Sequence, residues 1–271
     1  MKYYAITLLG QSIAYADTSD DKSTILFIHG NSLSSKTFQK QFDDASLNRQ
    51  FRLIALDMLG YGESDRSKNP EKDYGFYAQA DLVVSFIEAL KLSEVILVGH
   101  SLGGNIAIEV ANRCDKVNAL ALLASPLAEK PMSQEMYLPH PALSYFFTPY
   151  LDDNAIAELV RALYKPGTGI PDWNVEVVKK SDPLSRAHLL APVLSGEYTD
   201  QLITLQKMKL PVASIIGEYD LLANPDYIKS TVVETLWQNK VHEIKDGGHM
   251  LFYENAPAFN QLLVEFAKHV L

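Results

Sequence analysis

An α/β architecture on a mostly parallel sheet is the fold class this sequence predicts, and three observations predict it. Short, wholly apolar runs alternate with segments of helical spacing; a glycine-flanked serine lies between one such run and a helix; a later aspartate and histidine each follow a further run. Runs such as Val95-Ile96-Leu97-Val98 are apolar at consecutive positions, as strands covered on both faces are, whereas a half-exposed strand would alternate.

The elements follow in order. Lys2 ahead of the apolar run Tyr3 to Leu9, with Ala14-Tyr15-Ala16 beyond it, has the outline of a secretory leader and its cleavage site. The run is too short for a leader's apolar core and Gly10-Gln11-Ser12 interrupts it, so the stretch is expected to be two strands around a turn. Strands are then expected at Thr24 to Ile28, Phe51 to Leu56, Val95 to Val98, Val117 to Leu123, Val212 to Ile216 and Val241 to Ile244. Helical spacing occupies Tyr77 to Leu90, Leu102 to Arg113 and Ala258 to Val270. Such alternation implies right-handed crossovers within one sheet.

After Ser125 the rhythm breaks. Pro126, Pro131, Pro139, Pro141 and Pro149 punctuate a stretch rich in aromatics, with helical patterns at Asp153 to Tyr164 and near Trp173 to Lys180. A segment so aromatic is expected to pack rather than to stay disordered. The expected organisation is a core of residues 1–125 and 196–271 with a helical cap, 126–195, inserted between two core strands.

Composition narrows the function. The 271 residues are 47% hydrophobic, enough for one large core, although the length also permits two ordinary domains. A net charge of −9 with interspersed signs excludes the basic stripe that nucleic acid or an anionic membrane selects, which leaves a small-molecule substrate. Cys114, the single cysteine, excludes an internal disulfide, fits a reducing compartment and is expected in the core. No apolar stretch approaches the ~20 residues needed to span a bilayer, so a cytoplasmic protein is expected, as monomer or homodimer.

Gly99-His100-Ser101-Leu102-Gly103 is a G-x-S-x-G motif with a strand before it and a helix after it, the context of a nucleophile elbow. Small neighbours let strand and helix approach, and the N–H of Leu102 at the helix start favours a developing negative charge. A serine needs a base to take its proton and a carboxylate to orient that base. In this architecture their chain order is serine, acid, histidine. Asp220 follows the strand ending at Ile216, and His249 follows the strand ending at Ile244. Glu218, Asp226 and Asp57 compete as the acid; Asp220 has the matching offset, and Asp57 opens a glycine-bearing loop, Asp57 to Ser64, that shapes the rim of the site. The other histidines fall in a neighbouring motif (His29), the elbow's variable position (His100), the cap (His140 and His188), a strand (His242) and the terminus (His269). His29-Gly30-Asn31 after the strand Thr24 to Ile28 provides a second oxyanion donor, the backbone N–H of Asn31.

These residues, in this order, resemble the α/β-hydrolase superfamily across the whole core. The resemblance implies an eight-stranded, mostly parallel sheet flanked by helices, a cap over a Ser-His-Asp triad and no cofactor. Ser101 at the elbow disfavours the aspartate-nucleophile branches. His29 to Ser35, and Leu236-Trp237 through Gly248-His249 to Phe252 and Pro257, are similar to the N-acyl-homoserine lactonases of this fold. One lactonase of that group carries Trp in place of His100 and Glu in place of Asp220; the catalytic chemistry survives those changes, but the acyl-chain specificity does not carry over. The meta-cleavage carbon–carbon hydrolases usually have a glycine-rich oxyanion loop that Asn31-Ser32-Leu33 lacks.

The expected chemistry is acyl transfer to water. Substrate shape falls to the cap, where Tyr137, Tyr145, Phe146, Phe147, Tyr150, Tyr164 and Trp173, together with His100, are the candidates for lining an apolar tunnel. A lactone or medium-chain carboxylic ester ranks first. A general carboxylesterase or thioesterase and a slow-hydrolysing ligand receptor remain open alternatives, as does a purely structural module.

Overall fold

Consecutive apolar residues leave a strand no polar face to turn to water, and the runs at 24–28, 95–100 and 117–123 are buried almost throughout, in the middle of an eight-stranded sheet. The computed structural model describes residues 1–231 and 233–271, and for residues 190–192 the backbone alone. The strands are β1 (Tyr3–Leu8), β2 (Gln11–Asp17), β3 (Thr24–Ile28), β4 (Arg52–Leu56), β5 (Val95–His100), β6 (Val117–Leu123), β7 (Val212–Gly217) and β8 (His242–Ile244), in the spatial order β1-β2-β4-β3-β5-β6-β7-β8. Only β2 runs against its neighbours. Its hairpin with β1 turns through Leu9 and Gly10, both at positive φ (50° and 78°), as a tight two-residue hairpin requires.

Side chains alternate across the sheet, so each buried strand feeds two cores. Ile25 and Phe27 of β3 join one cluster with Phe252, Phe259 and Leu263, while Leu26 and Ile28 join another with Val83, Phe86 and Ile106. Helices Phe76–Ala89, Leu102–Ala111, Leu251–Glu254 and Ala256–Val270 supply those partners. Cys114 is buried and unpaired. Among the described residues no helix is long and apolar enough to cross a membrane.

Register decides where function can sit. Ile28 pairs with Gly99, His100 with Leu123, Leu123 with Ile215, and Gly217 with Ile244, so the loops after β3, β5, β7 and β8 open on one edge. In a parallel sheet that carboxyl edge is where ligands bind. Between β6 and β7 the chain forms short 3-10 turns at Gln134–Met136 and Pro141–Phe147 and helices Asp153–Ala162, Asp172–Lys180, Pro183–Leu194 and Gln201–Met208. The helices expected near 153–164 and 173–180 are present, and Pro183–Leu194 and Gln201–Met208 add to them.

Candidate active site

Ser101 sits between β5 and the helix Leu102–Ala111 at φ 52° and ψ −120°. A side-chain-bearing residue pays strain there and stays only where its surroundings hold it. Its N–H donates to the Leu123 carbonyl at 2.8 Å, and its own carbonyl accepts from Gly104 N–H and Ser125 Oγ, both at 2.9 Å. The crossing also needs bare backbone: a Cβ at Gly99 would collide with Gly103 and Gly104, and one at Gly103 with the Ile28 carbonyl.

Asp220, in the loop after β7, is buried and divides its carboxylate. Oδ1 accepts the N–H groups of Leu222 at 2.8 Å and Ala223 at 3.0 Å, and Oδ2 lies 2.8 Å from His249 Nδ1. Two backbone donors fix the carboxylate, which then accepts a hydrogen bond from Nδ1–H and so leaves the His249 Nε2 lone pair free, the tautomer a general base needs. The competing acids lie elsewhere. Glu218 accepts from the Asp246 N–H at 3.1 Å, Asp226 is exposed in the first turn of Pro225–Ser230, and Asp57 receives the N–H groups of Ser35 at 2.7 Å and Glu63 at 2.8 Å.

Other groups hold the histidine loop. Glu254 accepts the Gly248 N–H at 2.7 Å and the Lys165 N–H at 2.8 Å, and burial pushes its carboxyl above the ordinary value. His100 Nε2 donates to the His249 carbonyl at 3.0 Å, and the two rings lie 4.8 Å apart. Burial, and then the neighbouring His249, push the His100 imidazole well below its ordinary pKa, so it is neutral. The expectation that His100 lines the substrate tunnel is therefore corrected. As the last residue of β5 it points beneath His249 and is wholly buried, with Phe252 at 4.9 Å.

Ser101 and His249 face a cavity that Asn31 and Leu102 also line. The Asn31 side chain is tied by Nδ2 to the Phe146 carbonyl at 2.7 Å. His29 is buried beside it, accepting the Met58 N–H at 3.1 Å, in a structural position. Of the aromatic candidates, Tyr137, Phe146 and Phe147 line the cavity. No hydrogen-bond partner is found for the Tyr137 hydroxyl among the described residues, and burial, then the Asp220 charge, push its pKa up to about 12.

The remaining aromatics do not reach the cavity. Tyr145 donates to Glu158 at 3.0 Å, Tyr150 is 74% exposed, and Trp173 donates to the Tyr253 hydroxyl at 3.3 Å. Tyr164 is buried against Asn174. The 3-10 turn Pro141–Phe147 explains part of this sorting: three residues per turn put Leu143 and Phe146 inward together, which leaves Tyr145 on another face. Sequence reasoning missed the lining residues Phe76, Met132, Leu143, Leu189, Val193 and Leu222. The spacing of Leu189 and Val193, one helical turn apart, was the available signal. Among the described residues no cluster of His, Cys, Asp and Glu is placed to hold a metal.

Residues 23–256 match the family model for the α/β-hydrolase fold, and the chain belongs to that family. The AB hydrolase superfamily protein YisY of Bacillus subtilis (strain 168) is 25% identical over 251 residues, which cover 90% of this chain and 91% of that protein. A crystal structure of a mutant of the N-acyl homoserine lactonase AidH with N-hexanoyl homoserine lactone matches at a TM-score of 0.94 and 22% identity, covering 99% of this chain and 98% of the other. A putative aryl esterase from Burkholderia cenocepacia matches at a TM-score of 0.81 and 22% identity, covering 99% of both chains. Sequence and structure agree on a hydrolase of this fold, with the eight-stranded, mostly parallel sheet expected.

Proposed function

We propose that this protein is a serine hydrolase that cleaves a carboxylic ester or lactone bearing an apolar acyl group. Ser101 is the nucleophile, His249 the general base and acid, and Asp220 the carboxylate that orients it. One observation carries the reading: the buried Asp220–His249 pair, 2.8 Å apart, meets the strained Ser101 at a single apolar cavity.

His249 takes the Ser101 proton as Oγ attacks the substrate carbonyl, and the carbonyl electron pair moves onto oxygen. The backbone N–H groups of Asn31 and Leu102 hold that oxyanion; the first-turn N–H of a helix has no intrahelical partner and is free for the task. Collapse expels the alkoxide, which takes the proton from His249. In a lactone it stays tethered to the acyl group. Water then attacks with His249 again as base, releasing the acid and restoring Ser101.

Residues 126–195 act in this reading as the cap that roofs the cavity. The hydrocarbon of Phe146, Phe147, Leu189 and Val193 suits a medium-length acyl tail. AidH is named an N-acyl homoserine lactonase, and the shared fold together with the His29 to Ser35 segment supports placing lactones first. The unpaired Cys114 supports a cytoplasmic setting.

The test is a hydrolysis panel of acyl-homoserine lactones of graded chain length and p-nitrophenyl esters, with Ser101→Ala as blank. Preference for lactones assigns quorum-signal degradation; ester cleavage alone assigns a carboxylesterase. Turnover that persists in Ser101→Ala would sink the serine mechanism.

A further inference from the structure

Arg186, on the helix Pro183–Leu194, is a cation only 4% exposed. Its guanidinium donates from Nε to the Thr148 carbonyl at 2.9 Å, from Nη2 to the Pro149 carbonyl at 2.7 Å, and from Nη1 to Ser181 Oγ at 2.8 Å and Ser32 Oγ at 3.3 Å. The carboxylate of the nearby Asp182 is engaged by the Tyr74 hydroxyl at 2.6 Å and the Leu184 N–H at 3.0 Å. Burying a charge among neutral acceptors is costly, and burial holds this guanidinium below its ordinary pKa.

The contact with Ser32 leads to the site. Ser32 Oγ donates to Asn31 Oδ1 at 3.1 Å, and Asn31 Nδ2 donates to the Phe146 carbonyl at 2.7 Å. The Tyr61 hydroxyl approaches the same Asn31 oxygen at 3.5 Å. Ser32 occupies a positive φ of 59°, a strained backbone that places its hydroxyl between Arg186 and Asn31. Asn31 is thus held on one side by Ser32 and on the other by the turn Pro141–Phe147, and Arg186 clamps the residues that follow that turn.

We propose that Arg186 is a positioning residue for the oxyanion hole: acting through Ser32, it orients Asn31, so the hole is complete only while the turn Pro141–Phe147 and the helix Pro183–Leu194 are seated on the 29–35 loop. The inference rests on the reading of Asn31 as an oxyanion donor. Leu143, Phe146 and Phe147 line the acyl cavity on that same turn, so a tail that fills the cavity also steadies the bond that holds Asn31. Long acyl groups gain in kcat, as well as in KM, over short ones.

The test compares wild type, Ser32→Ala, Asn31→Ala and the double variant on p-nitrophenyl acetate and hexanoate, with a trifluoromethyl ketone as mimic of the tetrahedral adduct. Losing a whole oxyanion donor costs ~100 to 1000-fold, so a displaced one is expected to lower kcat in Ser32→Ala about tenfold, with KM within about twofold. The ketone weakens by the same factor, and the kcat advantage of hexanoate over acetate shrinks. In the Asn31→Ala background, Ser32→Ala adds nothing further, because its effect runs through that amide. Arg186→Lys keeps the charge and loses the fork, and is expected to fall in the same direction. A folded Ser32→Ala with kcat within about twofold of wild type, or two single effects that simply multiply, overturns the inference while Ser101-dependent hydrolysis leaves the function standing. Wild-type hydrolysis that survives Ser101→Ala removes the functional reading itself, and the inference with it.

Discussion

The carboxylate of Glu254 receives the backbone N–H of Gly248 at 2.7 Å, one residue before His249. Its other oxygen takes the Lys165 N–H at 2.8 Å, so one side chain ties the histidine loop to the end of the segment that follows helix Asp153–Ala162. An amide accepts on one atom only and would turn N–H against N–H at the other. Glu254→Gln is therefore expected to lose about 1–3 kcal/mol of stability in urea titrations. Its kcat should fall with little change in KM. Wild-type kinetics in this variant would show that the loop holds His249 unaided.

Asp220→Asn keeps the shape of the pair and changes its chemistry. The amide oxygen is expected to stay with the Leu222 and Ala223 N–H groups, which turns the amide N–H₂ toward His249 Nδ1 and selects the wrong tautomer. The expected fall in kcat is on the order of 10³ to 10⁴, with KM nearly unchanged, as for a triad acid. A loss of less than tenfold would mean that another group orients the base.

Three buried imidazoles, His29, His100 and His242, have pKa values pushed below 6.5, desolvation being the first cause for each. The folded state binds fewer protons than the unfolded chain, so the stability these groups contribute is full above pH 6.5 and lost as pH falls from there through their folded values. His100→Gln keeps a donor for the His249 carbonyl and cannot titrate. Denaturant melts between pH 7.5 and 5.5 should be flatter for this variant by up to about 1.4 kcal/mol per pH unit. Glu254, raised by burial, works in the opposite sense in both proteins, and the comparison cancels it. Equal slopes would mean that His100 takes up its proton in the folded state.

Tyr137 lines the cavity, and its hydroxyl has no hydrogen-bond partner among the described residues. With its pKa pushed up to about 12, it remains a donor throughout the working pH range. Tyr137→Phe is expected to leave the melting temperature unchanged. On substrates with a second acceptor beyond the scissile carbonyl, such as an acyl amide, kcat/KM should drop about 5 to 10-fold, the worth of one neutral hydrogen bond. Plain alkyl esters should not respond. An equal loss on both substrate classes would place the hydroxyl at the reacting carbonyl instead.

The strands and the loop positions of Ser101, Asp220 and His249 were legible because their signals are local. Apolar runs without alternation mark buried strands, and a glycine-flanked serine between strand and helix marks the turn. The orientation of the segment between β6 and β7 was not legible. It depends on contacts between residues distant in the chain, such as Asn31 with Phe146 and Arg186 with Thr148, which leave no period in the sequence. For that reason Tyr145, Tyr150 and Trp173 passed as candidates while Leu189 and Val193 did not. His100 was misread for a different reason. A position beside the nucleophile in sequence lies on the strand, whose alternation turns it away from the cavity.

The proposed catalytic groups are also ordered in time. The elbow and the donor at Asn31 are synthesised well before Asp220 and His249, which lie on loops after the two strands at one edge of the sheet. Until β7 and β8 dock beside β6, Ser101 has no base to take its proton. In the proposed mechanism a finished nucleophile turn is chemically silent until β7 and β8 close this edge of the sheet.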